Sequence, residues 1–271
     1  MPTEEEEGKL SPKEFVLFSA RLMAAKRARE TERPDRLFED PLAAKLAGAE
    51  AFAFMEQKTT KQDLLYVAVR TRFFDDFLMT TVYEASQIVI LAAGMDARAF
   101  RLPWPSGTKV YEIEQLEVLG DKEFILKNTL TTCQRHAITA DLTQPWSHLL
   151  LAQGYQADLP SVWLLEGLLM YLTEPEVHDL LKTISELAAP GSCLGLDLIN
   201  VQSIQYKSYQ GYFRSGFDNP EELLSSYGWD ANVVQPGDYG ANFGRYTEKF
   251  PPRDVPDVVR VFLVKAKKKG S

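Results

Sequence analysis

Ala92-Ala93-Gly94 and Glu114, twenty positions beyond the glycine, are the residues whose types and spacing most clearly point to chemistry. A tight turn of small residues lets a nucleoside cofactor approach bare backbone. A carboxylate at the tip of the next strand accepts hydrogen bonds from ribose hydroxyls. Only Gly94 remains of the usual multi-glycine pattern, with Ala92 and Ala97 where glycines often sit. The turn alone is therefore as consistent with a structural role as with a ligand, and the acid at the ribose-binding distance tips the balance. Glu112 shares the face of Glu114 because side chains alternate along a strand. Glu114, nearer the tip, is the better candidate, and Glu112 reads as a solvated or buried structural acid.

Three more positions carry candidate chemistry. Asp141, in Thr139-Ala-Asp-Leu-Thr143, closes a strand where an exocyclic amine such as that of adenine could donate to it; its alternative role is to cap a helix entering at Pro145. Glu166 ends the apolar run Trp163-Leu-Leu, where a charge is costly unless it is used. It could meet the cofactor's charged end or the acceptor, while Met170, Tyr171 and Leu172 after it read as pocket wall or core. Arg70 and Arg72 lie on a mostly apolar helix. A guanidinium that reaches inward from there can pair bidentately with a carboxylate; otherwise it is a surface charge. His136, His148 and His178 lack metal spacing, and there is no Ser-His-Asp arrangement, Walker-type loop or Tyr-x-x-x-Lys pair.

These residues need a scaffold that brings strand ends together. Strands are expected at 86–91, 108–114, 135–141, 161–166 and 192–199, alternating with helices near 96–102, 115–130, 145–153 and 174–188. Such alternation is the signature of a parallel, doubly wound α/β sheet. Asp96 is expected to open the first of these helices, and Thr173 to cap the helix at Glu174, with Pro175 in its first turn. From Glu14 to Leu78 the spacing is helical with a break at Pro34. Two further strands, near 229–235 and 258–267, are joined more easily as a hairpin than by a helical crossover. Asn219-Pro220 looks like a capped helix start running to Tyr227-Gly228. The expected organisation is an acidic, disordered leader over 1–12 and a single domain over 13–271. Residues 13–80 would form a helical cover or lid, and 201–228 an acceptor-side insert after the fifth strand.

Composition narrows the class. With 30 basic against 38 acidic residues the chain carries a net charge of −8, which argues against nucleic acid as the main partner. Lys265, Lys267, Lys268 and Lys269 read as a solvated tail. Cys133 and Cys193 are far apart without metal-ligand spacing, which suits a reduced, cytoplasmic setting. No apolar run approaches a membrane span.

Together these residues resemble the leucine carboxyl methyltransferase family, including its bacterial branch of S-adenosylmethionine-dependent methyltransferases, over nearly the whole chain. The resemblance rests on Arg29-Glu-Thr-Glu-Arg-Pro-Asp-Arg-Leu-Phe-Glu-Asp-Pro-Leu42, Arg70-Thr-Arg-Phe-Phe-Asp-Asp76 and Leu91-Ala-Ala-Gly-Met-Asp-Ala-Arg98. It rests also on Tyr111-Glu-Ile-Glu-Gln115, Ala140-Asp-Leu142, Glu166-Gly-Leu-Leu-Met-Tyr-Leu172 and Ala189-Pro-Gly-Ser192, in that order. It implies a class I methyltransferase fold, Rossmann-like, whose seven-stranded, mostly parallel sheet ends in an antiparallel hairpin. It also implies S-adenosylmethionine as cofactor. Arg70 would hold the methionine carboxylate, Ala92 and Gly94 would form the turn beside the cofactor, and Glu114, with Gln115 next to it, would take the ribose. Asp141 and Leu142 would contact adenine, and Glu166 the methionine portion. Glu114 stands where many relatives have aspartate and so reaches one methylene further. Ala92 stands where some have glycine, which is tolerable if the backbone there stays in an ordinary region.

The expected function is O-methylation of a carboxylate or hydroxyl on a small molecule, such as a secondary metabolite, with no metal, nucleic acid or membrane partner. The oligomeric state and any catalytic base are left open. The alternatives are a protein C-terminal carboxyl methyltransferase, a nicotinamide-dependent oxidoreductase on the same turn, and a cofactor-binding subunit without turnover. The aromatic residues Phe15 and Phe18, with Leu22, Met23 and the insert from Tyr206 to Phe217, would form the lid and acceptor pocket, or else simply pack on the sheet.

Overall fold

Short runs of branched apolar residues bounded by turns form the sheet. The computed structural model describes residues 12–205 and 211–270. Its seven strands are β1 (Gln87–Leu91), β2 (Lys109–Glu114), β3 (Gln134–Thr139), β4 (Val162–Leu165), β5 (Cys193–Ile199), β6 (Trp229–Val234) and β7 (Val261–Lys268). They lie in the order β3-β2-β1-β4-β5-β7-β6. The first five are parallel, and β7 runs antiparallel to both β5 and β6. This is the class I methyltransferase sheet, with the terminal pair as the expected hairpin. β1, β4 and β5 are buried along their whole length, as central parallel strands covered on both faces must be. The strand order reverses between β1 and β4, which opens a crevice at the carboxyl ends of the strands.

Helices α1 (Pro12–Thr31), α2 (Ala43–Lys58) and α3 (Lys61–Thr81) precede the sheet. Then come α4 (Arg98–Arg101), α5 (Leu116–Leu126), α6 (Ser147–Ala152), α7 (Glu174–Leu187), α8 (Val201–Ile204) and α9 (Pro220–Ser225). Phe73, Phe74 and Phe77 of α3 cover one sheet face through Ile88, Ile90 and Leu164. On the other face Leu181 and Ile184 of α7 and Leu224 of α9 pack on Val89, Tyr111 and Trp163. A third cluster joins Ala24 and Ala25 of α1 and Leu46 of α2 to Val118 of α5. It sets α1 over the turn that follows β1.

Several boundaries differ from the sequence reading. The helical cover breaks a second time, at Thr59–Thr60, because Thr60 and Asp63 cap α3 reciprocally: each backbone N–H donates to the other's side chain, at 2.9 and 3.1 Å. The helix expected over 96–102 is one turn, stopped at Leu102-Pro103, and Asp96 lies ahead of it. β3 stops at Thr139, so Asp141 sits in the following turn and caps no helix. Its Oδ1 accepts from the backbone N–H of Thr143 at 2.9 Å and from the Thr143 hydroxyl at 2.7 Å, while α6 starts only at Ser147. Asn219 makes no side-chain cap for α9, which stops at Ser225. Val258 and Val259 lie before β7, whose pairing with β5 begins at Ile199 and Val261. Lys265, Lys267 and Lys268 belong to β7 rather than to a solvated tail: Lys265 lies over the Phe73 ring, Lys267 pairs with Glu84, and Lys268 donates to the Tyr227 carbonyl. Apart from Pro12, the expected leader lies outside the described residues. So do Tyr206 and Tyr209. No helix among the described residues is long and apolar enough to cross a membrane.

Candidate functional site

The turn after β1 is fixed from both sides. Ala93 donates its N–H to the Ile113 carbonyl at 3.2 Å, and Gly94 donates to Glu114 Oε2 at 2.7 Å. Glu114 Oε1 accepts from the N–H of Gln115, also at 2.7 Å. Burial pushes the Glu114 carboxyl up, and these two backbone N–H groups pull it back. Each of its oxygens keeps a lone pair for a further donor. Gly94 has φ 47°, and a side chain there would meet Ala20 of α1 at 3.3 Å. Ala92 does not stay in an ordinary region as expected: its φ is 50°, left-handed. That conformation costs a non-glycine residue roughly 1–2 kcal/mol. Glycine there gives back part of this gain through its looser unfolded chain, about 0.4–1 kcal/mol. Ala92→Gly is therefore expected to stabilise the fold by about 0.5–1 kcal/mol, seen as a higher urea midpoint at unchanged slope. A lowered midpoint would contradict the left-handed turn.

Beside this turn lies a chain of buried charges. Arg70, on α3, donates from Nε to Glu166 Oε1 at 3.0 Å and from Nη1 to Asp197 Oδ2 at 3.1 Å. Its Nη2 faces the Met23 sulfur on α1 at 3.6 Å. Asp197, on β5, also accepts from the Tyr66 hydroxyl at 3.1 Å and from the Gly167 N–H at 2.6 Å. Gly167 has φ 68°, the left-handed region that favours glycine. The other oxygen of Glu166 pairs with Arg98 at 2.8 Å; Arg98 in turn holds Asp96 and Asp75, and Arg101 shares Asp75. Burial works against the ionised form of Asp96, but Arg98, Lys122 and Arg27 hold its carboxyl down at about 2. Glu166 and Gly167 reach this network because β4 ends at Leu165, one residue before the acid.

All eight residues expected at a cofactor site, Arg70, Ala92, Gly94, Glu114, Gln115, Asp141, Leu142 and Glu166, line one cavity of about 1000 Å³. Other candidates fall elsewhere. Arg72 pairs with Asp76 at the surface. Glu112 is wholly buried beneath the site, held by Lys122 and Arg135, each at 2.7 Å. None of the three histidines lines the cavity. His178 hydrogen-bonds the Tyr227 hydroxyl at 2.7 Å, and His136 stacks on Tyr111. Among the described residues no cluster of three or more His, Cys, Asp or Glu could hold a metal. Of the expected lid, Met23 and Phe213 line the cavity; Phe15 stacks on Tyr212, and neither of these two rings lines it. Phe18 packs instead on Phe54, and Leu22 joins the α1–α2 cluster.

Sequence reasoning missed Asp197, Asp96, Arg98 and Tyr66. A signal existed for the first: Asp197 is the lone charge in Cys193-Leu-Gly-Leu-Asp-Leu-Ile199, the criterion that singled out Glu166. Arg98, between two alanines, carried a weaker version of it.

The site suits a nucleoside with a charged tail: bare backbone at Gly94, a carboxylate with free lone pairs at the tip of β2, and paired charges at the end of β4. A model of the leucine carboxyl methyltransferase family matches residues 20–185. A protein of Saccharopolyspora erythraea, provisionally named an S-adenosyl-L-methionine-dependent methyltransferase, is 36% identical over 259 residues, covering 85% of this chain and 88% of that one. A Parafrankia protein with the same provisional assignment is 43% identical over 189 residues, 63% of this chain; the match spans 59% of that relative. Among solved structures, a DUF574 family protein from Streptomyces avermitilis superposes with a TM-score of 0.59 at 13% identity, over 92% of this chain and 97% of that one. At that identity the likeness speaks for the fold alone. The nicotinamide alternative is set aside, since the family and its relatives use S-adenosylmethionine as cofactor. The chain belongs to the leucine carboxyl methyltransferase family and is by that membership an S-adenosylmethionine-dependent methyltransferase.

Proposed function

We propose that this protein is a cytoplasmic O-methyltransferase acting on a small molecule, such as a carboxylate-bearing secondary metabolite. The observation that carries this reading is the character of the groups facing the cavity. The histidines lie outside it, and its arginines are already committed to carboxylates. Burial pushes the hydroxyls of Tyr66 and Tyr171 up, so neither offers a phenolate at neutral pH. A site without a histidine or an ionised tyrosine suits an oxygen that arrives ionised, and a carboxylate does so.

When bound, the cofactor supplies an activated methyl sulfonium; the chain's own groups align the partners and exclude water. In this reading Glu114 accepts from the ribose hydroxyls beside Gln115. The Oδ2 of Asp141 accepts from the adenine amine, with Leu142 against the base. Ala92 and Gly94 present backbone. The Nη2 edge of Arg70 and the carboxylate of Glu166 take the charged amino-acid end. Methyl transfer to a carboxylate forms one O–C bond as the C–S bond breaks; the electron pair stays on sulfur and no proton is released.

A protein C-terminus as acceptor is the second reading. It is supported by the description of the matching family, leucine carboxyl methyltransferase. The test is incubation with methyl-labelled S-adenosylmethionine and a panel of carboxylic acids, phenols, alcohols, amines and peptides ending in a free leucine carboxylate, followed by base hydrolysis. Label recovered in base-labile esters or stable ethers supports O-transfer. Label on nitrogen or carbon sinks it, and label on a peptide terminus alone moves the assignment to the second reading.

A further inference from the structure

Glu166 stands one residue beyond the last pairing of β4, that of Leu165 with Leu196, so the sheet does not orient its side chain. Two guanidiniums do. Arg70 reaches it from α3 and donates from Nε to Oε1 at 3.0 Å. Arg98, the first residue of α4, meets Oε2 at 2.8 Å. A carboxylate gripped on both oxygens has one setting, and each oxygen keeps a lone pair for a ligand in the cavity that Glu166 lines.

The two arginines differ in what else they hold. The Nη2 edge of Arg70 meets a weak acceptor, the Met23 sulfur. Arg98 has no such edge. Its Nε donates to Asp75 Oδ1 at 2.7 Å, its Nη1 to Asp96 Oδ2 at 2.5 Å, and its Nη2 to the Thr71 carbonyl at 3.4 Å. Its backbone is held as well: the N–H donates to Asp96 Oδ1 at 2.6 Å, and the carbonyl accepts from the Trp104 indole at 2.8 Å. Thr71 and Asp75 belong to α3, and Asp96 to the turn after β1. From a position only 3% exposed, Arg98 therefore ties the Glu166 side chain to the helical cover and to the turn that carries Gly94. A carboxylate fixed in this way meets an incoming cation without a further loss of side-chain freedom.

We infer that Arg98 is a positioning residue for the cofactor: it locks the Glu166 carboxylate so that the remaining lone pairs receive the ammonium of the amino-acid end. The inference rests on the reading above in which Glu166 takes that end, and it adds the residue that sets the acceptor in place. Arg98 acts through Glu166, so its effect belongs to one portion of the ligand and leaves the adenine and ribose contacts alone.

The experiment titrates the full chain calorimetrically with three ligands. They are S-adenosylhomocysteine, its decarboxylated form, which keeps the amine, and 5′-methylthioadenosine, which has no amino-acid end. Arg98→Lys keeps a charge near Asp75 and Asp96 but cannot span all three carboxylates. It is expected to bind the two amine-bearing ligands about tenfold more weakly and 5′-methylthioadenosine within about twofold of wild type. Asp75→Asn loosens Arg98 from outside the cavity and is expected to weaken the same two ligands selectively. In a Glu166→Gln background Arg98→Lys should have no further effect. Equal weakening of all three ligands gives Arg98 a merely structural role and overturns the inference. So do wild-type affinities in Arg98→Lys, or an undiminished effect of that change in the Glu166→Gln background. If Arg98→Lys does not fold, Asp75→Asn decides by the same criterion: selective loss supports the inference, and uniform loss or none overturns it. Failure of the underlying reading is separable, because Glu166→Gln would then itself bind all three ligands as the wild type does. A methyl acceptor other than oxygen would leave these affinities unchanged.

Discussion

Asp197→Ala is expected to lower the free energy of unfolding by about 3–5 kcal/mol, the usual consequence of removing one partner from a buried ion pair. The substitution leaves three donors without their acceptor: Nη1 of Arg70, the Tyr66 hydroxyl and the Gly167 N–H. Each is buried or partly buried, so water replaces the carboxylate poorly. For a chain of this size the melting temperature should fall by roughly 6–20 °C. Asp197→Asn keeps the shape and one acceptor oxygen and should fall between. Arg72→Ala is the control: its pair with Asp76 is about 40% exposed on both sides, and with the bond from its Nη1 to the Leu37 carbonyl at 2.8 Å the loss should stay at about 1–2 kcal/mol. Urea unfolding of the three variants measures this. Equal midpoints for Asp197→Ala and Arg72→Ala would mean that Arg70 is not held as the geometry indicates.

Glu114→Ala should produce the largest loss in cofactor affinity. A hydrogen bond to a charged group contributes about 1.5–3 kcal/mol, and two ribose hydroxyls would share this carboxylate. S-Adenosylhomocysteine should therefore bind about a hundredfold or more weakly. Part of the loss comes from the turn itself, because Gly94 and Gln115 lose the acceptor that holds their N–H groups. Glu114→Asp separates the two contributions. It retains the charge, but its carboxylate is withdrawn by one methylene from Gly94, so a loss of around tenfold is expected. Calorimetry decides the matter. A Glu114→Ala protein that binds S-adenosylhomocysteine within threefold of wild type would remove Glu114 from the site.

The acids at strand tips were legible for a simple reason. Glu114 stands at the ribose-binding distance beyond the glycine turn, and Glu166 ends an apolar run, where a charge is either used or removed by selection for stability. The same rule applied to Asp197, but it sits inside β5 rather than at its end, so its role depended on what lay across from it. That partner, Arg70, is 127 positions away in the chain. Asp141 was placed correctly beside the crevice, yet its local bond to Thr143 follows from where β3 stops, which pairing with β2 decides. Ala92 was misjudged in conformation because its left-handed backbone is imposed by the two bonds that clamp the turn to β2, at Ile113 and Glu114.

The sequence by itself determined the alternation of strands and helices, the terminal hairpin, and a set of carboxylates and one arginine able to meet a nucleoside cofactor. Periodicity, turn residues and misplaced charges are local properties, and they survive without knowledge of neighbours. Only the tertiary structure decided which of these charges are spent on one another. It closed Arg70 between Glu166 and Asp197 and buried Glu112 against Lys122. The physical reason is that the cost of a buried charge depends on what surrounds it. In this fold those surroundings are assembled by α3, α5, β2 and β5 from residues far apart in the chain.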